Sequence, residues 1–159
     1  ILDPIVFGHY PISLQQALGI IYLASQQRKL LIKGSYDFIG LNLFTSEYAT
    51  FKSSDSGDDP SKILMTHEYH KTPCNPFHPS IWLFIAPIGM PKILGWIQEH
   101  YNNPPLIVTE NGEANSDDSL SLSKQLEDYH RIDYHHDYMQ NMLLAIKDGS
   151  DVRGYFAKV

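Results

Sequence analysis

Leu106-Ile107-Val108-Thr109 is an apolar, β-branched run that halts at Glu110-Asn111-Gly112. Such a run favours a strand, and the glycine permits a tight turn at its exit. Upstream, Pro91 to about Tyr101 carries Ile93, Leu94 and Ile97 on one helical face, and Asn103-Pro104-Pro105 stops it. Downstream, a polar stretch from Glu113 to about Ser123 leads into a helix over Asp128 to Lys147. Gly149 lies just past the end of that helix, where a C′ glycine belongs. Val152 to Ala157 then begins another strand, which the chain leaves short. Nearer the N-terminus, Leu14, Leu18, Ile21 and Tyr22 set a helical period from Ser13 to about Lys29, with Ser13 as N-cap and Gly34 as stop. Asp37 to Phe44 reads as a short strand buried on both faces. Ile1 to Tyr10, punctuated by Pro4, Gly8 and Pro11, reads as a turn-rich connection.

Strands alternating with helices of this length imply βα units and a parallel sheet. A free-standing sheet of three parallel strands would leave both edges bare. As a slice of a (β/α) barrel the same pattern is natural, so the fold class is α/β, a partial barrel. Lys52 to Pro79 differs in character. It is rich in Asp, Ser, Pro and His without clear periodicity, and loops of that length are commonly functional.

The 159 residues suit one ordinary domain, and 43% hydrophobic with 19% charged residues disfavours wholesale disorder. Lys and Arg number 12 against 18 Asp and Glu, a net charge of −6. That balance argues against a nucleic-acid partner and against a polybasic membrane anchor. No stretch approaches the roughly 20 apolar residues of a membrane span. Cys74 stands alone, which excludes an internal disulfide. The first residue is Ile1, already inside an ordered-looking pattern and without a visible signal segment. A piece of a longer protein is the expectation.

Glu110 is the candidate catalytic residue, because barrels place their chemistry just beyond the carboxyl ends of strands. An exposed strand-end acid is the alternative. His67, His70, Cys74 and His78 have ligand-like spacing, but Pro73, Pro76 and Pro79 interleave them. They lack the short spacings of structural zinc sites, so no metal is expected. His130, His135 and His136 lie beside Tyr129, Tyr134 and Tyr138 and are read as packing and surface residues. Neither a phosphate-binding glycine loop nor a Ser-His-Asp order is present.

Ile107-Val108-Thr109-Glu110-Asn111-Gly112 resembles the nucleophile motif of glycoside hydrolase family 1, the retaining β-glucosidases. Leu2-Asp3-Pro4-Ile5 with Gly8-His9-Tyr10-Pro11 resembles the family's Asp-Pro-Ile, Gly-Asp-Tyr-Pro segment. Lys33 to Asn42 is similar to its sixth barrel strand and approach, and Tyr101-Asn102-Asn103-Pro104-Pro105 to the plant enzymes in particular. Asp148 to Phe156 resembles the approach to the eighth strand. The resemblance implies strands six, seven and the start of eight of a (β/α)8 barrel. It makes residues 1–159 the C-terminal part of a single glycosidase domain, with a substrate-entrance loop at about 52–79.

The implied mechanism is double displacement. One carboxylate attacks the anomeric carbon while a second, about 5–5.5 Å away, protonates the leaving oxygen and later activates water. Glu110 matches the nucleophile. The acid/base glutamate belongs to an Asn-Glu-Pro motif, and this sequence has none. General acid catalysis alone is worth about 10²–10⁴-fold, so the chain by itself is expected to be inactive. The family's glycone-binding Gln and His, and its Glu and Trp beyond strand eight, are absent too. Where relatives run from Gly-Tyr-Phe into Trp-Ser, this chain reads Ala157-Lys158-Val159, an ending that suggests a truncated or spliced product. A non-catalytic product that at most binds a partner is the rival reading, and a carbohydrate-binding module is a weak third.

Asn42 matches a polar residue near the sugar, with a strand-end turn cap as the alternative. Trp82 falls where the family stacks a tryptophan on the substrate, with a core role as the alternative. Plant relatives carry a Tyr where this chain has Phe44, so a hydroxyl donor to the nucleophile carboxylate is expected to be missing. The family implies no cofactor and no metal. Its partner is a small-molecule β-glucoside, bound by the full-length parent, and only the family suggests a secretory, vacuolar or extracellular route. Phe38, Leu41, Ile107 and Phe156 are expected to stay partly exposed without the remaining strands, which favours aggregation of the isolated chain.

Overall fold

The computed structural model describes residues 2–18, 30–51, 63–66, 68–69, 72–73, 84–113 and 121–158. The chain divides into two units, Ile1–Ile39 and Gly40–Val159.

In the first unit, the segment read as a turn-rich connection contains a short helix, α1 (Asp3–Phe7). Pro4 does not prevent it, because the first helical turn has no N–H to lose to a proline ring. Gly8 ends α1 in the left-handed region, φ 80°, and its N–H donates to the Pro4 carbonyl. A second helix, α2 (Ile12–Leu18), covers the start of the helix expected from Ser13. Residues 19–29 lie outside the described part. Gly34, at φ 73°, donates its N–H to the Ile5 carbonyl at 2.7 Å.

The second unit is organised on a three-stranded sheet. Its strands are β1 (Ile39–Asn42), β6 (Leu106–Asn111) and β7 (Val152–Ala157), in the order β1-β6-β7. The Leu106 run thus becomes the central strand. Leu106 and Val108 are fully buried, while alternation turns Ile107 and Thr109 to the other, half-covered face. β6 and β7 are parallel, with Leu106 opposite Val152 and Asn111 opposite Ala157. The strand expected to be buried on both faces is instead an edge strand. Of β1 only Ile39 is buried, and Gly40 and Asn42 are exposed. An apolar run records what a strand prefers, whereas its burial depends on neighbours supplied from elsewhere in the fold.

Helix α3 (Gly89–His100) precedes β6, and its Met90, Leu94 and Ile97 are buried at the i, i+4, i+7 spacing of one face. Gly89 admits no side chain, because a Cβ there would meet the Ser46 hydroxyl oxygen at 1.9 Å. A single-turn helix, α4 (Leu122–Gln125), begins inside the stretch expected to be loop. The long helix α5 (Tyr129–Lys147) packs against α3. It ends as expected, with Gly149 at φ 104°. The Gly149 N–H donates to Ile146 and the Ser150 N–H to Ala145, each at 3.0 Å. That pair of bonds is the Schellman arrangement.

The region expected to be one long loop carries strands. β2 (Tyr48–Phe51) pairs antiparallel with β3 (Ile63–Thr66), Tyr48 opposite Thr66 and Phe51 opposite Ile63. β4 (Glu68–Tyr69) pairs with β5 (Thr72–Pro73). Strands this short leave no periodic signature. His67, His70, Cys74, His78 and Trp82 all lie outside the described residues. Among the described residues no helix is long and apolar enough to cross a membrane.

Candidate active site

Glu110 occupies the carboxyl end of the central strand, with its side chain 38% exposed. The neighbouring strand ends hold the backbone of Glu110 and of Asn111 after it. The Leu43 N–H donates to the Glu110 carbonyl at 2.9 Å from the end of β1, and the Lys158 N–H donates to the Asn111 carbonyl at 2.8 Å just after β7. Gly112 is required by this second contact, since a Cβ there would stand 2.1 Å from the Lys158 carbonyl oxygen. The carboxylate itself accepts from an ammonium, Lys158 Nζ to Glu110 Oε2 at 2.7 Å. The same ammonium lies 5.3 Å from the centre of the Phe44 ring. Phe44 brings no side-chain donor, as expected, but a donor is nonetheless present because the lysine provides it.

Asn42, the last residue of β1, accepts from the Thr109 hydroxyl at 2.7 Å. Two of the three expected site residues, Glu110 and Asn42, are therefore brought together at adjacent strand ends, and the third, Trp82, is outside the described residues.

Beside Glu110 lies a polar core that the sequence reading did not single out. Asn111 is completely buried. Its Nδ2 donates to the Leu43 carbonyl at 2.5 Å and to the Tyr134 hydroxyl at 3.0 Å, and its Oδ1 accepts from the Tyr155 hydroxyl at 2.6 Å. Tyr134 passes its proton on to the Phe44 carbonyl at 3.0 Å, and Tyr138 donates to the same carbonyl at 3.3 Å. The Tyr138 oxygen in turn accepts from the Ala86 N–H at 3.2 Å. Because Tyr155 gives its proton to Asn111, the contact of 2.7 Å from His135 Nδ1 to the Tyr155 oxygen has the histidine as donor. The bonds run in one direction, so each amide and hydroxyl has one orientation.

Burial keeps these phenols protonated. It raises Tyr134 well above the ordinary value, raises Tyr138 too, and pushes Tyr155 up to about 12. His135 is held below its ordinary value, first by burial and then by the Arg131 charge, with Asp128 opposing. Tyr134 and Tyr138, one helical turn apart on α5, stack with ring centres 4.3 Å apart. That i, i+4 tyrosine pair facing a strand-end Asn was the available sequence signal; Lys158, 48 positions beyond Glu110, offered none. Among the described residues no group of three or more metal-ligating side chains converges.

The glycosyl hydrolase family 1 model matches residues 1–159. The chain belongs to that family. β-Glucosidase 25 of Oryza sativa subsp. japonica is 39% identical over 165 residues, covering 98% of this chain and 33% of the relative. The coniferin β-glucosidase of Pinus contorta is 38% identical over 98% of this chain and 32% of its own length. Among solved structures, the rice Os3BGlu6 β-glucosidase superposes with a TM-score of 0.86 at 33% identity, over 98% of this chain and 34% of that one. β-Glucosidase 2 of Trichoderma reesei, solved with Tris, gives 0.87 at 34% identity, over 98% of this chain and 35% of that one. This family member therefore spans about a third of the length of its relatives, and its parallel sheet with flanking helices is part of the family's (β/α)8 barrel.

Proposed function

We propose that this chain supplies the nucleophile side of a retaining β-glucosidase site, within the C-terminal part of a single barrel domain. The observation that carries the reading is Glu110, half-exposed at the carboxyl end of the central strand, in a chain matched by family 1 along its whole length. Glu110 would attack the anomeric carbon of a β-glucoside and hold the glycosyl group as an ester until water releases it. The Leu43 N–H holds the Glu110 backbone at the strand end, which places the side chain where the carboxylate can reach a bound substrate. Asn42, tied to Thr109, contributes a polar group at the sugar. Trp82 stacks on the substrate, and residues at about 52–79 shape the aglycone entrance.

A second carboxylate must protonate the leaving oxygen, and the family's Asn-Glu-Pro motif is absent from this sequence. The chain alone is therefore expected to be inactive. The test is hydrolysis of a nitrophenyl β-glucoside by the purified chain beside a Glu110→Gln control. Release no faster than the control is the expected result. Turnover lost in Glu110→Gln would retain Glu110 as nucleophile and overturn the inactivity. Turnover that survives the substitution would overturn the role of Glu110 as well.

A further inference from the structure

The geometry points to Lys158 as a positioning residue that caps the Glu110 carboxylate and must be displaced before that carboxylate can attack. The inference rests on the reading of Glu110 as nucleophile, and it adds a regulator that this chain carries itself. Three observations support it. The Lys158 ammonium touches Glu110 Oε2 at 2.7 Å. The Phe44 ring stands 5.3 Å from that ammonium, a distance at which an aromatic face attracts a cation. The backbone of Lys158 is pinned to both residues that follow Glu110, through its N–H to the Asn111 carbonyl and its carbonyl against Gly112.

The pinning matters because a surface ion pair is weak mainly through the cost of ordering two long side chains and through solvent screening. Here the lysine backbone is held by the same strand end that holds the carboxylate, and the Phe44 ring attracts the ammonium from 5.3 Å. The ammonium is thereby delivered to one oxygen of one carboxylate. Glycosyl transfer to that carboxylate passes through a cationic, oxocarbenium-like transition state. An ammonium paired with that carboxylate neutralises the attacking charge and repels the charge that develops. Lys158 thus holds Glu110 in place and lowers its reactivity together.

Esterification of carboxylates by a small diazo reagent, read peptide by peptide by mass spectrometry, tests this on the chain as it stands. The exposed Glu99 on α3 serves as internal reference. Because both partners are partly exposed, the effect is modest: Glu110 labelling relative to Glu99 should rise about two- to five-fold in Lys158→Met. Lys158→Arg, which keeps the charge, should return it to the starting rate, and Phe44→Leu should raise it to an intermediate level. Equal Glu110 labelling in the wild-type chain and in Lys158→Met would overturn the cap. Equal labelling of Lys158→Arg and Lys158→Met would overturn its electrostatic basis. The labelling needs no glucoside turnover, so a nucleophile role that fails in the hydrolysis assay is distinguishable from a cap that fails here.

Discussion

Replacing Asn111 by leucine keeps the volume of a fully buried side chain and deletes its polar atoms. The Leu43 carbonyl loses its donor at 2.5 Å and the Tyr155 hydroxyl its acceptor at 2.6 Å, whereas Tyr134 keeps the Phe44 carbonyl at 3.0 Å. Two part-buried groups are then left short of a partner, Tyr155 keeping its contact with His135. A buried group left unsatisfied costs about 1–3 kcal/mol, and partial relaxation brings the pair to roughly 2–4 kcal/mol. The cost falls where β1 meets β6, so it lowers the free energy of opening that strand end before it affects the rest of the sheet. The Leu43 amide, bonded to the Glu110 carbonyl at 2.9 Å, reports the opening. Its hydrogen exchange should accelerate by about 30- to 800-fold in Asn111→Leu, the conversion of that energy through RT. Asn111→Asp should do no better, since it keeps an acceptor for Tyr155 but turns a carboxylate oxygen toward the Leu43 carbonyl. Exchange at Leu43 within a factor of two of wild type would refute the polar core as what fixes the strand carrying Glu110.

Acid should weaken the fold through His135. Its folded-state value lies below the ordinary 6.5, so the unfolded chain takes up the proton first. The stabilisation is complete above about pH 6.5 and is lost as pH falls through the lowered value. Amide exchange on α5, taken relative to the intrinsic chemical rate at each pH, should therefore speed up below that pH in the wild-type chain and lose this dependence in His135→Asn, which keeps a donor near Tyr155; equal relative profiles would contradict it. Gly149→Ala forces a side chain onto φ 104° and should cost about 1 kcal/mol or more, read as faster exchange of the Ser150 amide. The isolated chain should self-associate, because Phe38 is 49% and Phe156 61% exposed, and Ile132 and Leu143 on α5 are exposed too. Size exclusion with light scattering checks this, and a soluble monomer with a sharp cooperative thermal transition is the result that would sink it.

The central strand, the helices before and after it, and Glu110 at its end were legible in the sequence because each rests on local chemistry. Leu106 to Thr109 is apolar and β-branched, Leu94 and Ile97 share a helical face, and Gly149 supplies a conformation other residues resist; Met90, rather than the expected Ile93, completes the buried face. The resemblance carried by Thr109-Glu110-Asn111-Gly112 and its flanks then located the family, which the match over the whole chain bears out. What stayed hidden depends on contacts between distant residues. The pairing of Tyr48–Phe51 with Ile63–Thr66 is set by a partner, not by a period. The half-exposure of β1 follows from its place at the sheet edge, although its composition reads as buried. The sequence by itself placed Glu110 at the end of an apolar strand. Only the tertiary structure decided what surrounds it, because β1, β7 and α5 converge on one strand end and bring Phe44, Lys158, Tyr155 and Tyr134 to a position that no local pattern encodes.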